Sequence, residues 1–145
     1  MAKKRIKQSV VLSISLKKGC YRHIQVSVND TLDYLADTII WAFDFDNDHA
    51  HAFFMDNKAW SRADCYYMAE VDEYGEYRHT CDVQLHQFDL QKNDLFLFIF
   101  DFGEEWRFQC KVLRIINEDI KDAELLKSVG QAPEQYPDYE FDEEE

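Results

Sequence analysis

Apolar and polar side chains alternate near the start of the chain. Ile6, Val10, Leu12, Ile14 and Leu16 fall on one side, and Lys7, Ser9, Ser13, Ser15 and Lys17 on the other. A period of two marks a half-buried β-strand. Ile24, Val26 and Val28 repeat it after the turn Lys17-Lys18-Gly19, so a β-hairpin is predicted to open the fold. The period then lengthens. Asn29, Asp30 and Thr31 offer N-cap oxygens, and Leu32, Leu35, Ala36, Ile39 and Phe43 follow at helical spacing, which predicts an amphipathic helix over residues 31 to 43.

Beyond the helix, HAFFM reads as a short strand, residues 57 to 80 as loop with one strand around CYYMA, and CDVQLHQF as a short helix or turn. LFLFIF, residues 95 to 100, is apolar throughout, as expected of a central strand covered on both faces. WRFQCKV alternates again, with Trp106, Phe108, Cys110 and Val112 opposed to Arg107, Gln109 and Lys111, and the short DFGEE makes a second hairpin. These elements predict an α+β fold. A mixed or antiparallel sheet of two hairpins plus additional strands packs on one main helix, in an order resembling a β-grasp. One domain is expected over residues 1 to 139, followed by an acidic, disordered tail at 140 to 145.

Charge narrows the partners. Sixteen basic residues against 29 acidic ones give a formal net charge of -13. That excess repels phosphate backbones and anionic membrane surfaces, so direct nucleic-acid binding is disfavoured and no membrane association is expected. A protein partner, if there is one, is expected at the acidic surface or at the tail YPDYEFDEEE. Cys20, Cys65, Cys81 and Cys110 contain no C-x-x-C pair, which argues for free thiols and a cytoplasmic location. The apolar stretch after MAKKRIK is short and interrupted by serines, unlike a signal peptide.

The densest chemistry is FDFDNDHAH, residues 43 to 51. Asp44, Asp46 and Asp48 stand at the first, third and fifth positions of an EF-hand loop, but His49 occupies the glycine position and Met55 the bidentate glutamate position. His49 and His51, two apart on a strand, would share a face and could join Asp48 or Asp101 around a transition metal. The favoured reading is a helix-terminating turn, with the aspartates bonded to local backbone and no metal or cofactor. DFG at residues 101 to 103 lacks every other kinase element, and Gly103 is expected to supply a positive φ in its turn. Trp106 is expected in the core or on the floor of a cleft.

YRHIQV, WAFDFDNDHAHAFFM, FIFDFGEEWRF and SVGQAPEQYPDY, in that order, resemble the plasmid pRiA4b ORF-3-like family. That family's pattern is W-R-x-I, then a helix ending in G-W-x-x-x-H-L-H-x-F, then Y-D-F-G-D-x-W-x-H and a final G-x-x-x-P-P-E. The resemblance puts His49, His51 and Phe53 on the H-x-H-x-F positions and Asp101, Phe102, Gly103 and Trp106 on the hairpin motif. Tyr21 and Phe45 stand for tryptophans, Glu104 for aspartate, and Phe108 for the last histidine, which removes an imidazole from any site that needs it. The resemblance implies a passenger protein of plasmids and transposable elements with no settled activity. Two readings follow. The favoured one is a non-enzymatic interaction module whose binding surface comprises Asp48, His49, His51, Phe53, Asp101, Gly103 and Trp106. The other is a metal-assisted hydrolase or nuclease-like enzyme using Asp48, His49, His51 and Asp101.

Overall fold

A computed structural model describes residues 5 to 136. The predicted tail at 140 to 145 therefore lies outside the described residues. The elements are β1 (Ser9–Lys17), β2 (Cys20–Ser27), α1 (Leu32–Ala42), β3 (His51–Phe54), β4 (Cys65–Tyr67), β5 (Arg78–His79), β6 (Leu95–Phe100), β7 (Trp106–Ile116) and β8 (Glu124–Val129). All eight strands join one sheet in the order β5-β4-β3-β6-β7-β1-β2-β8. β4 and β5 run parallel, and the other neighbours are antiparallel, so the sheet is mixed. The described residues are thus mostly sheet with one α-helix. A β-grasp sets its first strand parallel to a central neighbour; here β1 is antiparallel to both β2 and β7, so that likeness fails.

Local rules explain α1. Thr31 has extended backbone and its side chain accepts from the Tyr34 amide, satisfying one of the unpaired donors of the first turn. Leu32, Leu35 and Ile39 are completely buried in one cluster with Val10, Leu12 and Ile14 of β1, Phe96, Phe98 and Phe100 of β6, and Phe108 of β7. A second cluster lies on the other side of the sheet, where Ala52, Phe54, Cys65, Leu97 and Ile99 meet Ala59, Tyr67 and Phe102. LFLFIF is apolar at consecutive positions for this reason: its even residues enter one cluster and Leu97 and Ile99 the other. Leu95, at the start of the strand, is exposed.

The edges depart from the alternation. Ile6 precedes β1 and is exposed, whereas Ser9 is fully buried. Strands β5 and β8 left no readable pattern: β5 has two residues, and β8 is exposed at nearly every position.

Arg22 of the YRHI segment ties these parts together. The residue is 6% exposed. Its guanidinium donates to the carbonyl of Ala42 at the end of α1, at 3.0 Å, and to those of Tyr21, Val129 and Gly130. It also sits 4.6 Å from the Phe43 ring centroid. A fixed positive charge against the last carbonyls of a helix complements the negative end of its dipole. Gly130, at φ +80°, completes the junction, because a Cβ there would fall 2.0 Å from the Gly19 carbonyl oxygen.

Candidate functional site

The end of α1, the 43–51 segment, the β6–β7 turn and the C-terminal segment converge on His49. Its Nδ1 is 2.8 Å from Asp48 Oδ1 and its Nε2 is 3.6 Å from Asp101 Oδ2. One imidazole thus bridges two carboxylates, an arrangement able to hold or pass a proton. Tyr136 adds its hydroxyl, 3.0 Å from His49 Nδ1 and in hydrogen-bond reach of Asp48. Gln135 fixes the crossing segment by a reciprocal pair: it accepts from the Asp46 amide at 2.6 Å and donates to the Asp46 carbonyl at 3.0 Å. This segment is therefore held from the far end of the chain, and also by Asp37, which accepts from the Asn47 side chain at 2.8 Å, and by the Asp101 amide, which donates to the Ala50 carbonyl. Asp48 in particular bonds to His49, Tyr136 and Gln135 side chains.

These contacts set the ionisation of the pair. The Tyr136 hydroxyl, followed by His49, holds the Asp48 carboxyl below its usual range. Partial burial, followed by the Asp48 carboxylate, pushes the Tyr136 phenol up to about 12. Asp101, 5% exposed, is positioned by its own turn. It lies at φ 66°, and its Oδ1 accepts from the Gly103 and Glu104 amides. The expectation for Gly103 is corrected here. Asp101 and Glu105 take the left-handed backbone and Gly103 does not, since an aspartate that bonds its own turn tolerates that conformation.

His51 does not join His49. It begins β3, is 2% exposed, and bonds Thr80 Oγ1 at 2.9 Å, with Asp33 Oδ1 of α1 3.7 Å away. Its ring packs against Phe53 and Phe98. His49 precedes the strand, so the alternation that would align the two imidazoles does not reach it. Burial lowers the His51 pKa to about 4, against the weaker pull of Asp37 and Glu70. Phe53 is fully buried, so neither it nor His51 can belong to an exposed binding surface. Gly103 is exposed. Trp106 is half-buried, set edge-on to Phe45 at 5.1 Å, with its Nε1 buried and unpartnered. Phe108, where the family motif has histidine, fills the core beside Phe43, Phe45 and Phe98. Among the described residues, no three His, Cys, Asp or Glu side chains are grouped so as to hold a metal ion.

Thr80, Asp33, Gln135 and Tyr136 were not singled out in the sequence. They come from three separate stretches, and only the tertiary fold brings them to the histidines.

A family model described as plasmid pRiA4b ORF-3-like protein matches residues 6–137, a span that includes Arg22, His49, His51 and the Asp101 turn. The chain belongs to that family. No curated protein matches it. Among solved structures, the protein of unknown function MM3350 from Methanosarcina mazei Go1 is similar at a TM-score of 0.71 and 23% identity. The match covers 87% of this chain and 72% of that one, and at this identity it shows a shared fold. No helix among the described residues is long and apolar enough to cross a membrane.

Proposed function

We propose that this pRiA4b ORF-3-like chain is an interaction module that binds a basic segment of a protein partner on the outer face of α1. The observation that carries this reading is the exposure of Trp41, at 59%, in line with Tyr34, at 39%. Spaced i and i+7, the two rings share one helix face with Asp37 and Thr38. Together with Ala123 these residues line a cleft of about 290 Å³. Trp and Tyr carry much of the energy at protein interfaces, and their faces attract Lys and Arg. Asp37, inside the cleft, would pair with the same cation, and the net charge of -13 favours a basic partner over an acidic one. As an accessory protein of this kind, the chain would serve as a passenger of plasmid or transposable-element genes, a reading supported only by the word plasmid in its family's description.

The enzyme reading on Asp48, His49, His51 and Asp101 is supported less well. Both nitrogens of His49 already face carboxylates, and His51 is bonded to Thr80 in a separate buried environment.

The test is titration of the full chain with arginine- and lysine-rich peptides, followed by tryptophan fluorescence and calorimetry. Binding weakened roughly tenfold by Trp41→Ala and by Asp37→Asn is expected. The reading is overturned by no binding at low salt, or by binding that neither substitution changes.

A further inference from the structure

Among the described residues, the sheet face opposite α1 leaves Lys111, Arg114 and Lys127 exposed and Tyr21, His23, Ser13, Ser15 and Gln109 half-buried, while Val11 and Ser9 on the same face are buried. Val10, Leu12, Ile14, Ile24, Val26, Phe108 and Cys110 all turn into the core beneath α1. Their alternate neighbours look the other way, and residues paired across strands share a face. The registers therefore set Lys127, His23, Ser13 and Lys111 in one row across the four strands. Val129, Tyr21, Ser15 and Gln109 form the next row toward the β1–β2 turn, and Arg114 lies beside Val11 in the row on the other side.

This face inverts the charge of the molecule. Lys111, Arg114 and Lys127 are exposed, and Lys17, Lys18 and Arg107 line a groove of about 460 Å³ at its corner. Glu105 is engaged by Arg107, and Glu124, paired with Gln25, stands at the far edge. The cations converge: burial first, then the charges of Lys127 and Arg114, hold the His23 imidazole below its ordinary range. Tyr21 and His23 lie side by side, ring centroids 5.2 Å apart, with Lys127 Nζ 5.9 Å from the Tyr21 ring.

We propose that this face binds single-stranded nucleic acid, with Lys111, Arg114 and Lys127 on the phosphates and bases stacked against Tyr21 and His23. Lys127 and Lys111 stand three strand spacings apart, about 14 Å, a span that an extended strand of a few nucleotides crosses. Aromatic rings side by side on a sheet face suit the π-faces of unpaired bases, which a duplex hides. Besides Val129 and Val11, and Leu95 beside Lys111, the rows carry hydroxyls, amides and rings, and a vesicle arm of the experiment separates a bilayer surface from an oligonucleotide. The acidic excess does not forbid this contact. Exposed charges farther than a Debye length of about 8 Å are largely screened at physiological salt, and α1 with its acids lies on the opposite side of the sheet. The net charge acts instead on the approach, slowing association at low salt, and because added salt screens that repulsion it makes the salt dependence shallower.

The experiment is fluorescence anisotropy of the full chain with labelled single-stranded DNA and RNA of about 12 nucleotides, at about 50 and about 200 mM salt. Vesicles of phosphatidylserine and phosphatidylcholine serve as a parallel arm. Binding at low salt is expected, weakened at least about tenfold by Lys111→Glu with Lys127→Glu, with a shallower salt slope. Tyr21→Ala weakens it while leaving the salt slope unchanged. Thermal melting confirms that the variants fold, and Trp41→Ala leaves oligonucleotide binding intact, which separates this face from the α1 cleft. Absence of binding at low salt, binding indifferent to the paired substitution, or binding to vesicles alone overturns the proposal.

Discussion

Tyr136 donates its hydroxyl hydrogen to Asp48, lying 2.7 Å from both carboxylate oxygens across 88 residues of chain. With Gln135 on the Asp46 backbone, this bond holds the C-terminal segment over His49. Tyr136→Phe removes it. Asp48 has a depressed folded-state pKa, so its contribution to stability is present above the ordinary carboxylate pKa and is lost as pH falls through the folded value. In Tyr136→Phe the Asp48 titration therefore moves upward, and the acid limb attributable to it shrinks. Carbon-detected NMR titration of the side-chain carboxyl reads this directly. An unmoved Asp48 titration would show that the hydroxyl is not its principal partner.

His51 predicts a second pH dependence. Its pKa falls to about 4 in the fold, from 6.5 in the unfolded chain. The unfolded state then binds more protons between those values, so stability rises with pH across that window and is lost on acidification. The shift corresponds to about 3 kcal/mol at full protonation. Asp30 acts in the opposite sense over an overlapping range. Burial raises its carboxyl to about 6, which favours the fold at low pH and costs stability as pH rises. The His51 contribution is therefore read as the difference between wild type and His51→Asn in urea denaturation from pH 4 to 7. Equal slopes for the two proteins would contradict a neutral, buried His51.

Arg22→Met should cost about 3 kcal/mol. It strips donors from the carbonyls of Ala42, Val129 and Gly130 at once, and unmet buried acceptors are expensive. Arg22→Lys should recover only part of this, because an ammonium cannot span the same fork of acceptors. Denaturant midpoints decide it, and a loss under about 1 kcal/mol for Arg22→Met would refute the bracing role.

All four cysteines are free, with Cys81 exposed and Cys20, Cys65 and Cys110 buried. An aromatic disulfide reagent should label Cys81 in the native protein and all four after unfolding. The native reaction should be slow, because desolvation and the nearby Asp82 and Asp33 push the Cys81 thiol up and thin its thiolate. Burial alone pushes Cys110 up and shields it as well. Rapid labelling of several native thiols would mean that the core opens far more readily than its packing suggests.

What the sequence determined by itself is local. The alternation in β1 and β2, the Thr31 cap and apolar stripe of α1, and the unbroken apolar run of β6 are each dictated by side chains a few residues apart. The family motifs were legible in the same way, and His49, His51 and Asp101 stood out as residue types, whereas the role of Arg22 did not. Tertiary structure decided what those residues do. His49 and His51 are two positions apart, yet one meets Asp48, Asp101 and Tyr136 while the other is buried against Thr80, because β3 begins only at His51. Gly103 looked like the flexible residue of its turn until Asp101, bonding the turn's own amides, took the left-handed backbone. Net charge, a sum over the chain, concealed a cationic face, since only cross-strand register sets Lys127, His23 and Lys111 in one row. Periodicity reports which side of an element is apolar. Which elements those sides meet depends on strand pairing between residues more than a hundred positions apart, and no local pattern encodes it.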